Sequence, residues 1–153
     1  MSSSIISNLI NLIDANQLRQ NLFYLSKDPL PYRRLNYTVS RTGKNTLYQA
    51  DDFIQSKLES WGYSVEKEGV EVRAFNCDTS KPKAHQYSSP SEESPWFTAY
   101  NLYAKKVGVV HPEDIILFLS HKDSQSWVDS PGAYDNCAGT VSTMEVARIL
   151  KDY

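Results

Sequence analysis

Ile5, Ile6, Leu9, Leu12, Ile13, Leu18, Leu22 and Leu25 fall mostly on one helical stripe, so their spacing predicts an amphipathic helix from Ile5 to about Leu25. The two prolines of "KDPLPYRR" stop it, and "SRTGKN" marks a loop. Leu47, Ala50, Ile54, Leu58 and Trp61 then recur at helical spacing, with Asn45 or Thr46 as N-cap and Gly62 as the C-terminal stop. In "YSVEKEGVEVRAF", Tyr63 and Val65, then Val70 and Val72, alternate around Gly69, which predicts a strand with an irregularity or hairpin turn at the glycine. Residues 76–95 are polar, carry three prolines and show almost no periodicity, so they read as a surface insertion.

"WFTAYNLYAKKVGV" returns to strand-like composition and "HPED" makes a turn. "IILFLS" is an unbroken apolar run of the kind expected in a central strand covered on both faces of a mixed or parallel sheet. Finally Ala138, Val141, Met144, Ala147, Ile149 and Leu150 outline a third amphipathic helix that continues towards Tyr153. Helices alternating with strands give an α/β class, and 153 residues suit one hydrophobic core rather than two.

Composition narrows the partners. Apolar residues at 41% and charged residues at 22% are ordinary for a globular chain, which argues against disorder and coiled coil. A net charge of −2 without a dense Lys/Arg block argues against nucleic acid or an anionic membrane as the main partner. The N-terminus interrupts its Ile and Leu with Ser, Asn and Asp, so no signal peptide is read there and a cytoplasmic location is the expectation. Cys77 and Cys137 are expected to be unpaired thiols, and no CxxC zinc pattern occurs.

The candidate chemistry lies in "SHKDSQSWVDSPGAYDNCAGT", Ser120–Thr140. In open α/β sheets, side chains just past the carboxyl end of a strand face the crevice where ligands bind, and His121 has that place. Imidazole and carboxylate are good zinc donors, so His121 could act with Asp123 or with Asp135, while Asp123 could instead hold the ring from behind. The plainer alternatives are a surface histidine and a turn in which Asp135 or Asn136 caps the following helix.

Together, "IILFLSHKDS" and "GAYDNCAGTVSTMEVARIL" resemble the zinc-dependent exopeptidases that include bacterial leucyl aminopeptidases and glutamate carboxypeptidases. In that family an apolar strand ends in His-x-Asp-Ser, and Gly-Ala-x-Asp-Asn opens a helix. "TLYQADDFIQSKLESWGYSV" looks like the family's early helix and strand. The resemblance implies a phosphorylase/hydrolase-like α/β fold, a mixed sheet flanked by helices, with residues 1–153 as the N-terminal part of a single zinc peptidase domain.

Carried over to this sequence, it implies His121 as a terminal zinc ligand, Asp135 as a bridge between two zincs, and Asp123 as the acid behind the histidine. A peptide substrate and a water activated by the zinc pair follow from the same resemblance. The family's Glu-Glu pair and its last Asp and His find no counterpart: after Asp135 the only acids are Glu145 and Asp152, and no histidine follows His121. The chain therefore reads as an incomplete peptidase domain, inactive by itself, with Glu145 as a solvent-facing or partly buried helix residue and His85 and His111 as surface residues. A glutaminyl cyclase-like acyltransferase and a receptor-like binding relative share the resemblance. A serine hydrolase is set aside, because no Gly-x-Ser-x-Gly elbow occurs.

Overall fold

The computed structural model describes residues 2–38 and 42–153. The expected loop "SRTGKN" lies partly outside them, at Ser40 and Arg41. In place of one N-terminal helix there are two, α1 (Ser2–Asn11) and α2 (Ala15–Ser26). Asp14 divides them: its backbone is extended, and its carboxylate accepts from the amides of Asn16 at 2.9 Å and Gln17 at 3.0 Å. Those amides would otherwise lack partners at a helix start, so an aspartate here opens a new helix rather than continuing the old one. Ile5, Ile6 and Ile10 of α1 stay exposed, and the packing expected of the whole stripe falls to α2.

Helix α3 (Thr46–Ser60) begins as the sequence predicts, with the Asn45 side chain accepting from the Tyr48 amide at 2.8 Å. It ends before Gly62, whose φ of +89° only glycine adopts without strain. Helix α4 (Ala138–Leu150) supplies Val141 and Met144 to a core shared with Leu25, Leu30, Ala50 and Ile54. At this core Tyr24 stacks on Phe53 with ring centroids 4.0 Å apart.

Strand β1 (Val65–Arg73) pairs antiparallel with a later strand of equal length, Trp96–Ala104, from Val65 opposite Ala104 to Arg73 opposite Trp96. The register runs straight through Gly69, so the irregularity expected there is absent; the glycine leaves room for the Tyr100 ring opposite it. The 76–95 insertion contains a small antiparallel pair, β2 (Asn76–Cys77) with β3 (Tyr87–Ser88), before Trp96–Ala104, which is β4. The expected mixed sheet is thus corrected: among the described residues, the sheets are two separate antiparallel pairs.

The expectation for "IILFLS" is also overturned. Residues 115–120 form no strand, and Ile115 to Leu119 are between 52% and 88% exposed. A strand covered on both faces needs hydrogen-bonded neighbours and packed helices. Here β1 and β4 pair only with each other, α3 packs on them and on α4, and α4 packs on α2. Residues 116–120 instead line a cavity of about 1100 Å³, together with Leu47, Ile54, Leu102 and Met144.

Candidate metal centre

Although the apolar run is not in a sheet, the polar residues that follow it are held in place. His121 faces two carboxylates at once: Nδ1 lies 3.1 Å from Asp123 Oδ1 and Nε2 lies 2.9 Å from Asp135 Oδ1. Asp123 is steadied by its other oxygen, which accepts from the Gln125 amide at 3.1 Å. The backbone carbonyl of His121 accepts from Thr140 Oγ1 of α4 at 2.9 Å, joining the histidine to the helix that follows Asp135.

Asp135 lies in a wide turn, Ala133–Cys137, closed by the Cys137 amide donating to the Gly132 carbonyl at 3.0 Å. Asp135 and Asn136 depart from helical φ/ψ, and the peptide bond between them is cis. Asn136 Oδ1 accepts from the Gly139 amide at 3.0 Å, so Asn136 serves the start of α4 while Asp135 is left to face His121. The Asp135 side chain is 85% exposed, and among the described residues its Oδ2 takes no hydrogen bond. One oxygen thus meets the imidazole and the other faces solvent.

The turn depends on Gly132, whose φ is +55°. A Cβ there would come within 2.7 Å of the Asp135 carbonyl oxygen and 2.8 Å of Ser124 Cβ. Ser124 is buried and its Oγ accepts from the Arg33 amide at 2.9 Å, which is a framework role and not that of a nucleophile.

Three supports escaped the sequence reading. Arg33, fully buried, reaches the carbonyls of Leu25, Lys122, Pro131 and Gly132. Lys122 points away from His121 to the Tyr100 carbonyl and to buried Asp51 of α3, whose Oδ1 is 2.8 Å from Nζ. Burial pushes the Asp51 carboxyl above its usual range, and the Lys122 charge opposes that rise. The pairing is a charge contact: neither Asp51 oxygen receives a well-directed hydrogen bond. Arg34 lies among the rings of Tyr32, Tyr37 and Tyr87 and pairs with Asp129 at 2.9 Å, while Tyr87 donates to the same Asp129 oxygen at 2.6 Å. The polar insertion is therefore tied, through Tyr87, to the loop between His121 and Asp135.

The other expected residues lie apart from this cluster. His85 and His111 are exposed. Cys77 is an exposed free thiol, and Cys137 a buried one. Glu145, read as solvent-facing or partly buried, is buried; it accepts from Arg148 and from the Asp14 amide. Among the described residues, no group of three or more His, Cys, Asp or Glu side chains converges in a way that could hold a metal.

Residues 101–153, which include His121, Asp123 and Asp135, match the family model of Peptidase family M28. A probable aminopeptidase of Saccharomyces cerevisiae is 42% identical to this chain over 58 residues, which is 35% of this chain and 16% of the yeast protein's length. Both matches are to peptidases. No solved structure matches the chain.

Proposed function

We propose that the loop 120–140 supplies part of the site of a zinc-dependent exopeptidase, an aminopeptidase in the simplest reading. The carrying observation is the convergence of His121 Nε2 and Asp135 Oδ1, 2.9 Å apart, with Asp123 behind Nδ1. Two donors on one tetrahedral zinc, each about 2.0–2.1 Å from the ion, stand roughly 3.3 Å from each other. The observed pair is a few tenths of an ångström short of that, so a small opening suits a shared ion.

Each side chain has a distinct part in this reading. Asp123, beside Nδ1, would hold the ring so that Nε2 could serve as the donor to a bound zinc. The exposed Asp135 carboxylate, beside the imidazole, would be the other protein donor to a bound zinc. When bound, zinc supplies Lewis-acid polarisation of a peptide carbonyl and a nucleophilic water near neutral pH. The aminopeptidase choice draws on the name of the yeast protein, and the zinc choice on the donor set and the family resemblance.

His121 and Asp135 are two protein donors, whereas a catalytic zinc ordinarily has three. The purified, untagged 153-residue polypeptide should therefore bind zinc weakly, through these side chains, without hydrolysing an aminoacyl-nitroanilide. Zinc titration calorimetry of the wild type, His121→Ala and Asp135→Ala decides the matter: saturable heat lost in both variants supports the site. Equal binding by all three would sink it, and turnover of the nitroanilide would overturn the expected inactivity.

A further inference from the structure

His121 and Asp135 lie on two segments joined by a loop exposed at Trp127, Val128 and Asp129. A solvated loop does not by itself hold its two ends at a fixed separation. Arg33, from the segment after α2, bridges both ends. Towards the histidine, its Nε donates to the carbonyl of Lys122 at 2.6 Å, its amide donates to Ser124 Oγ at 2.9 Å, and its own carbonyl accepts from the Ser124 amide at 3.0 Å. Towards the aspartate, Nη1 donates to the Pro131 carbonyl at 2.8 Å and Nη2 to that of Gly132 at 3.2 Å. Nη1 also reaches the Leu25 carbonyl at the end of α2.

The acceptors of these side-chain bonds are neutral carbonyls, so the guanidinium is a buried cation held without a carboxylate in contact. Burial lowers its pKa. Burying a charge in this way is costly, and apolar replacement of buried ionic groups is often neutral for stability. What an apolar side chain would not supply is a rigid, planar set of five donors able to fix several carbonyls in one plane.

We infer that Arg33 is a positioning residue that sets the separation of His121 and Asp135, and through it the affinity for zinc. The affinity part rests on the metal reading above; the separation does not. Lysine, a point charge with tetrahedral donors, should not replace it.

The test compares wild type, Arg33→Met, Arg33→Lys and Ser124→Ala as full-length chains. The separation is read without metal, from the NOE between His121 Hε1 and the Asp135 Hβ protons. Affinity is read by zinc calorimetry on samples shown by circular dichroism to be folded. Arg33→Met and Arg33→Lys should lose the NOE and at least tenfold in zinc affinity, and Ser124→Ala should lose several-fold. Should Arg33→Met not fold, Arg33→Lys and Ser124→Ala decide by the same two readings.

Unchanged NOE and unchanged affinity in folded variants would overturn the positioning role while leaving the zinc site standing. A wild type that binds no zinc would instead sink the metal reading. The positioning role would then be judged by the NOE alone, lost in the Arg33 variants if it holds and retained if it is wrong.

Discussion

Gly132→Ala tests the turn that presents Asp135. Two costs add at this position. A non-glycine residue in the left-handed region costs about 1–2 kcal/mol, and φ here is +55°. The new methyl would also stand 2.7 Å from the Asp135 carbonyl oxygen, 2.8 Å from Ser124 Cβ and 3.1 Å from Arg33 Nη2. Backbone and a buried, multiply bonded guanidinium yield less readily than the end of a flexible side chain, and overpacking of this kind costs about 1–3 kcal/mol. The sum is about 3 kcal/mol, which in a domain of this size lowers the melting temperature by roughly 6–12 °C. Gly62→Ala provides the control, since φ is +89° there but nothing lies within 4 Å of the added methyl. It should cost only about 1 kcal/mol. Urea unfolding followed by circular dichroism, with the slope m unchanged, measures both. If Gly132→Ala stays within about 0.5 kcal/mol of wild type, or merely matches Gly62→Ala, the close-packed turn described here is wrong.

Two further outcomes are expected. The Glu145 carboxyl is held below its usual range chiefly by hydrogen bonds from Arg148, and also by the Asp14 amide. A folded pKa below the unfolded one contributes stability above the unfolded value, about 4.3, and that contribution fades as pH falls through the folded pKa. Glu145→Gln should therefore cost about 1–2 kcal/mol at pH 7, with the gap to wild type narrowing in urea titrations below about pH 4; a gap independent of pH would refute the assignment. The run from Ile115 to Leu119 carries no charge or proline and is largely exposed, a pattern that favours intermolecular pairing. Sedimentation velocity should show concentration-dependent association that Leu117→Lys reduces, and identical profiles for the two proteins would count against that run as its cause.

The parts of this molecule legible in its sequence are those whose cause is local. Asn45 caps α3 and Gly62 ends it because a cap and a left-handed residue act within a few positions. The approach of His121 to Asp123 and Asp135 follows the motif spacing, which is a sequence property, although the strand expected before His121 is absent. Asp14 also acts locally, but it lies between apolar stripe residues, so the apolar spacing alone does not reveal the break between α1 and α2. The apolar run at 115–119 misled for a different reason. Hydrophobicity states that a segment gains by burial, not which surface covers it, and the pairing it needs is a long-range event.

The scaffold under the site belongs to this second kind. Arg33 with Lys122 and Gly132, Lys122 with Asp51, and Arg34 with Asp129 and Tyr87 join residues far apart in the chain. Charged residues have no periodicity that announces burial, and Arg, Lys and Asp are usually exposed, so a reading by composition assigns all of them to the surface. In this structure the exposed pair His121 and Asp135 rests on buried charges whose own hydration was lost. Removing Lys122 leaves the Asp51 carboxylate without its cation and removing Asp129 leaves buried Arg34 without its carboxylate, so these two pairs should tolerate substitution less well than the candidate ligands themselves.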